Sequence, residues 1–315
     1  MPVSTQSFTD QAVQGLDFSG GTITETDTGA GVESFSGGTL VPQLSTFGLG
    51  PFHGISWGSF SAGVIAPGAT LSVAIEYTVS DTNAGGLLAG LEQSFTGSGT
   101  AGSALTIQES VYSDAAHSNL VGQITTNLSH KSSPSYSTGD VVLTNAYQTL
   151  YVDVQVTATV DPLAAPGSQV TFSMLRQGFG QAGVTLDKQV STDGTTWLEV
   201  GNGNFSNEPV VSAGSAVYER VLVVNSGSVA ISNAQVTDAG GSGPTGFTFG
   251  GSAATGIAIG QTITSDIATL TAVTGEQLDT ATVTGTVAFG GRNVTVSAND
   301  QADYFATGTS GQGAA

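Results

Sequence analysis

The sequence predicts an all-β protein: two tandem β-sandwich domains, immunoglobulin-like or jelly-roll-like, preceded by an extended N-terminal arm. Three observations lead there. Apolar and polar residues alternate with period two in segment after segment. Gly, Pro and Asp-Gly punctuation recurs at intervals of about 8–12 residues. No stretch carries a helical period long enough to compete.

Met1 to Phe18 reads as extended, with Phe8, Leu16 and Phe18 as apolar anchors, and Gly20-Gly21 breaks it. Thr22 to Thr28 alternates Thr, Ile and acid as an edge-type strand. Val32 to Phe35 and Thr39 to Val41 are short strands between Gly-Gly turns. Phe47 to Trp57 reads as a Gly- and aromatic-rich loop. After the Pro67-Gly68 turn, Leu71, Val73, Ile75, Tyr77 and Val79 share one face of a half-buried strand. Gly85 to Phe95 has a pattern short enough to fit helix or strand. Ala104 to Tyr112 and Asn119 to Thr126 form a hairpin around SDAAHSN. Gln148 to Asp161 puts Leu150, Val152, Val154, Val156, Ala158 and Val160 on one face. Pro166-Gly167 then turns the chain into Gln169 to Leu175.

Gly178 to Gly183 is Gly-rich and reads as the joint between domains. Past it, Val184, Leu186 and Lys188 alternate with Thr185 and Asp187, and Asp193-Gly194 signals a hairpin into Thr195 to Val200. Val217 to Val224 is a β-branched strand. Asn225-Ser226-Gly227-Ser228 is its turn, and Val229 to Thr237 runs back. The divisions are 1–18 for the arm, 19–180 and 183–306 for the sandwiches, and 307–315 for a small-residue tail.

The run YERVLVVNSGSVAISNAQVTD resembles the signature of the immunoglobulin-like repeats of bacterial surface proteins, the group often called DUF11-like. Thr269-Leu270, Thr280 to Gly285 and Asn299 to Phe305 are similar to that family's later strands and closing segment. The resemblance covers roughly 183–306. It implies fold and an extracellular setting; such repeats serve mostly as spacers, stalks or structural subunits.

Net charge is −19, with Lys131, Arg176, Lys188, Arg220 and Arg292 the only Lys or Arg residues. A nucleic-acid partner needs a basic footprint, and the chain has none. Anionic membrane surfaces are disfavoured likewise. Charged residues make up 9%, against about 25% in ordinary globular domains. Mean hydropathy is +0.15, so the chain can build cores. Cys is absent, so packing and strand pairing must hold the fold. No apolar run reaches membrane-spanning length, and no classical signal peptide is visible at the start.

Few motifs carry chemistry. Gly54-Ile55-Ser56-Trp57-Gly58 matches G-x-S-x-G, but that elbow needs a strand-to-helix turn, and nothing after Gly58 is helical. Gly97 to Gly102 matches G-x-G-x-x-G but leads into a strand. His53, His117 and His130 lack metal-ligand spacing. Glu25 and Asp27, at i and i+2, share a strand face and read as edge protection. Asp238, Asn299, Asp300 and Asp303 are the densest oxygen set and the candidate Ca²⁺ ligands. Lys188, with Asn293 or Asn299 and with Glu219 as the neighbouring acid, resembles the Lys–Asn isopeptide crosslink of some surface domains.

The resulting expectation is a non-enzymatic extracellular structural protein, a self-assembling subunit of a filament, surface layer or matrix. Its partners are copies of itself. Ser4, Gln6, Phe8, Leu16 and Phe18 form a donor strand for β-augmentation. The alternative is an adhesin or carbohydrate-binding module making glycan or cell-surface contact. Phe47, Phe52, Trp57 and Phe60 would be its platform.

Overall fold

A computed structural model describes residues 3–308 apart from 8–9, 14, 29–31, 37–38, 46–51, 59–60, 65, 84, 130–134, 201–207, 241–242, 252–255 and 290–291. Every helix or strand element among them is a β-strand. The chain divides into two compact units: Met1–Ala182 with Phe289–Arg292, and Gly183–Ala288 with Asn293–Ala315.

Unit one contains β1 (Val3–Ser7), β2 (Gln11–Val13), β3 (Leu16–Thr28), β4 (Val32–Ser36), β5 (Thr39–Ser45), β6 (Phe52–Gly58) and β7 (Ser61–Val64). There follow β8 (Thr70–Asp81), β9 (Gly86–Gly99), β10 (Ser103–Tyr112), β11 (Leu120–Ser129), β12 (Ser135–Tyr147), β13 (Thr149–Val160) and the first half of β14 (Val170–Ser191). One layer runs β1-β3-β8-β13-β10-β11, with β2 also on β3. The other runs β12-β9-β14, with β6 and β7 on β14, β5 on β6 and β4 on β7. The inward faces of β8 and β13 are those the alternation predicts: Leu71, Val73, Ile75, Val79, Leu150, Val152, Val154 and Val156 are fully buried. Phe18, Tyr77 and Phe179 meet at the core centre, their ring centroids 5.8–6.4 Å apart.

Four local expectations change. Gly20-Gly21 does not end a strand. Gly20 takes φ +64° and the register shifts between Ser19 and Thr22, so a bulge lets β3 continue to Thr28. Part of the expected loop 47–57 is strand β6, paired with β5 and β14. The expected joint at 178–183 does hold the division between the units, after Ala182, but its backbone is strand, because Phe179, Gln181 and Ala182 are buried and hold it in the ladder. The arm is folded into its own unit rather than free. Val3–Ser7 pairs antiparallel with Thr22–Thr26 of β3, and Leu16 and Phe18 are core residues at 1% and 0% exposure.

Unit two contains the second half of β14, β15 (Val210–Ser212), β16 (Ala216–Asn225), β17 (Ile231–Gly240), β18 (Gly246–Phe247) and β19 (Gly256–Ile257). It is completed by β20 (Thr262–Thr264), β21 (Ala268–Thr271), β22 (Gly275–Phe289) and β23 (Arg292–Thr307). One layer is β14-β16-β20 with β21 on β16; the other is β15-β23-β22-β17-β18 with β19 on β17. The segment 225–228 is therefore a corner between layers, not a hairpin between β16 and β17. Asn225 fixes it: its Nδ2 donates to the carbonyls of Val229 at 2.9 Å and Ile257 at 3.0 Å. At Asp193-Gly194 the turn forms, with Gly194 at φ +72°, but its return is a single bridge, Val190 to Leu198. Beyond Gly308 the expected tail lies outside the described residues.

Candidate functional site

The inward face of β14 in unit two reads Val184, Leu186, Lys188, Val190. Strand period puts Lys188 there, and its side chain is fully buried. Beside it on β16, Glu219 occupies the inward phase between Val217 and Val221; Lys188 pairs with Val221 and Val190 with Glu219. The facing layer supplies Asp238 from β17 and Asp279 from β22, near the paired positions Asp238–Ala281 and Gly240–Asp279. One lysine thus meets three carboxylates, one from its own layer and two from the other.

Lys188 Nζ donates to both oxygens of Asp238 at 2.9 Å. It lies 3.4 Å from Glu219 Oε2 and 3.5 Å from Asp279 Oδ2. The Phe247 ring centroid is 5.9 Å from Nζ. Gly243 packs so closely that a Cβ there would collide with carboxylate oxygens of Asp279 and Asp238. The three carboxyl side chains are at most 2% exposed. One ammonium cannot neutralise three carboxylates away from water, so the surplus appears as protonation. Burial, moderated by Lys188 and reinforced by Asp279, pushes Glu219 up to about 8. Burial likewise raises Asp238, against the Lys188 hydrogen bond.

The structure divides the predicted calcium set. Asp238 belongs to the lysine site. Asp303, 1% exposed, lies with Glu208 and Glu276, and one carboxylate oxygen from each falls within 4.8 Å of the others. Asp300 Oδ2 accepts the Lys188 backbone N–H at 2.7 Å, and Asn299 is exposed. The predicted crosslink set is also corrected. Lys188 and Glu219 meet, but Asn293 and Asn299 both project outward from β23, out of phase with buried Val294 and Val296. Asp238 stands where an asparagine was expected. Glu208, Asp279 and Glu276 were missed; Asp279 was legible as a charge in phase with buried Ala281 and Val283.

The other candidates have structural places. Ser56 is 3% exposed in the middle of β6, paired on both sides, so no elbow exists there. Gly97 to Gly102 ends β9 and carries the chain to β10 in the other layer. Glu25 faces inward on an interior strand at 5% exposure, not outward on an edge. His53 lies on β6 and His130 outside the described residues, as do Phe8, Phe47 and Phe60; Phe52 and Trp57 lie on β6. Ser4 and Gln6 pair with Glu25 and Ile23.

Unit one has a second feature. Tyr112 and Tyr151 pair across β10 and β13, on the face away from the core, both half-buried. His117, at φ +52° in the β10–β11 loop, folds over them. Its ring stacks on Tyr112 at 5.0 Å and lies 6.1 Å from Tyr151. Its Nδ1 lies 2.8 Å from Asp153 Oδ1. Asp114 orders the loop by accepting the Ser118 N–H at 2.8 Å.

The sequence matches no family model and no curated protein. Among solved structures, a bacteriophage CBA120 tailspike enzymatic domain is similar at 12% identity over 50% of this chain and 19% of its own, TM-score 0.28. The carbohydrate-binding module TmCBM61, solved with β-1,4-galactotriose, is similar at 8% identity over 38% of this chain and 69% of its own, TM-score 0.24. The adhesin domain of Epf from Streptococcus pyogenes is similar at 11% identity over 81% of this chain and 79% of its own, TM-score 0.26.

Proposed function

We propose that this chain is an extracellular, non-enzymatic β-sandwich protein that works by contact: unit one touches a glycan, and unit two, a DUF11-like repeat, is a braced spacer. The observation that carries this reading is the Tyr112–His117–Tyr151 shelf with Asp153 beside it. Flat rings offer apolar faces to sugar C–H groups, and a few convergent polar atoms orient hydroxyls. Gln108 and Gln155, paired on the same outward face, extend the polar surface. Native electrophoresis through gels containing soluble neutral polysaccharides tests it. Retardation in at least one gel, lost in Tyr151→Ala with an unchanged melting temperature, is expected. Unretarded migration of the wild type in every gel overturns it.

Self-assembly is the second reading, and it rests on β1. This strand ends its sheet among the described residues, and Thr5, Gln6 and Ser7 are exposed with no charge along Val3–Ser7. Uncharged edges are templates for further strands. Assembly would then proceed by edge pairing, not by donation of a free arm. Filaments or oligomers that vanish in Gln6→Lys support it; a wild type that sediments as a monomer at high concentration removes it.

The calcium expected from the sequence moves, in our reading, to Glu208, Glu276 and Asp303. Both oxygens of buried Asp303 lack a hydrogen-bond partner, as does Glu208 Oε1. A cation answers that need.

A further inference from the structure

We infer that unit two makes an intramolecular isopeptide bond, in which Lys188 Nζ condenses with the side-chain carboxyl of Asp238 and Glu219 relays the proton.

The amine and the acid are already in contact. Nζ lies 2.9 Å from each Asp238 oxygen, and both side chains are out of reach of solvent. In water the two would rest as a hydrated ammonium and carboxylate. Here burial has stripped that hydration, and held reactants of this kind behave as if at about 10⁵–10⁸ M. Burial also favours the uncharged form of the Asp238 carboxyl, which is the reactive one. Three carboxyls around one amine leave a proton in the site, since two uncompensated charges cannot stay there. Glu219, 3.4 Å from Nζ and raised to about 8, is the group placed to hold and move it.

The step balances without an oxidant or a cofactor. Glu219 passes the proton it holds to the Asp238 carboxylate and takes one in its place from the ammonium of Lys188. The freed lone pair of Nζ attacks Asp238 Cγ, forming the C–N bond. The tetrahedral carbon expels one oxygen, which takes a proton from Glu219 and leaves as water; Nζ returns its remaining extra proton to the site. Overall, one ammonium and one carboxylate become one amide and one water. Asp238 is the acceptor because it meets Nζ with both oxygens. Asp279 meets it with Oδ2 alone, at 3.5 Å. The product would tie β14 to β17, one layer to the other, across 50 residues of chain.

Intact-mass spectrometry of the purified full chain in denaturant reads the bond directly. The wild type should weigh one water less than its sequence. Digestion should yield a branched peptide joining Lys188 to Asp238, with no tryptic cut at Lys188. Lys188→Arg and Glu219→Gln should both return to full mass. Glu219→Gln keeps the shape of the side chain, so it serves if the arginine variant fails to fold; its far-UV circular dichroism confirms a folded sample. A wild type of full mass overturns the inference. So does a water lost as succinimide at Asp193-Gly194, or a bridge mapped to Asp279. A linked, folded Glu219→Gln protein removes Glu219 as the relay.

Discussion

Unit one and unit two each place a carboxylate in the middle of a sandwich, and they neutralise it differently. In unit one, Glu109 on β10 is completely buried among amides and hydroxyls. Gln93 Nε2 donates to its Oε2 at 3.5 Å, and Gln93 Oε1 accepts from Thr126 Oγ1 at 2.6 Å. Burial pushes Glu109 up to about 8, with Gln177 and Gln93 pulling the other way, so at neutral pH it is held as the acid. In unit two the same kind of burial is answered by an amine. The proton solution is local to one side chain. The lysine solution needs four strands in register, and it also joins the two layers.

The sharpest break of that comparison is removal of the amine. Lys188→Met leaves three carboxyls facing one another in an apolar interior, a change that costs about 3–5 kcal/mol when a buried pair loses one partner. Glu109→Gln swaps a neutral acid for an amide of the same shape and should cost about 1 kcal/mol or less at pH 6. Urea unfolding of both variants checks this. Equal losses would mean that the two sites are electrostatically alike.

Alkali is the second test. The ordinary Glu value of 4.5 rises to about 8 for Glu109 in the folded protein, so the folded state holds a proton that the unfolded chain has released. That contribution is complete below about 4.5 and fades as pH rises through about 8. Going from pH 6 to 9 should remove about 3 kcal/mol from unit one. Glu219 carries the same sign. Chemical unfolding at stepped pH should show the decline, reduced in Glu109→Gln. A wild type equally stable at pH 6 and 9 would contradict both assignments.

Much of this was readable before the fold. Alternation placed Lys188 on the apolar face of its strand, and only its burial was missed. Glu219 and Asp279 carry the same signal, a charge in phase with Val217 and Val221 or with Ala281 and Val283. What period two does not contain is which layer faces which. The 225–228 stretch looks like a hairpin turn, yet Asn225 makes it a corner, and that sends Asp238 across the sandwich to Lys188. The β17 register also shifts between Ser232 and Gln235. Asn299 was chosen by chemistry alone, and its phase on β23 is wrong for the interior. The N-terminal segment, expected as a donor strand, pairs within this chain. An extended segment with apolar anchors is also what a first strand of its own sheet looks like, and β3 was there to pair with it.

The smallest effect concerns the third acidic cluster, where neither a lysine nor an amide network stands in. Burial and then Glu276 raise Glu208, and the same causes raise Asp303. Parallel pairing of Val210 with Phe305 holds Glu208 beside β23. Oxygens within 4.8 Å of one another can share one calcium ion, since Ca–O bonds of about 2.3–2.6 Å put opposite ligands about 5 Å apart. Extracellular modules bind calcium at about 10⁻⁴–10⁻³ M, so 5 mM calcium against a dissociation constant near 1 mM should add about 1 kcal/mol. For a unit of this size that is a rise of about 4 °C in melting temperature. Scanning calorimetry in chelator and then in calcium should show it for the unit-two transition. Asp303→Asn should erase the difference, and Lys188→Met should leave it, because the two clusters are separate. Identical melting in chelator and calcium would leave protonation as the way this cluster, like Glu109, is kept.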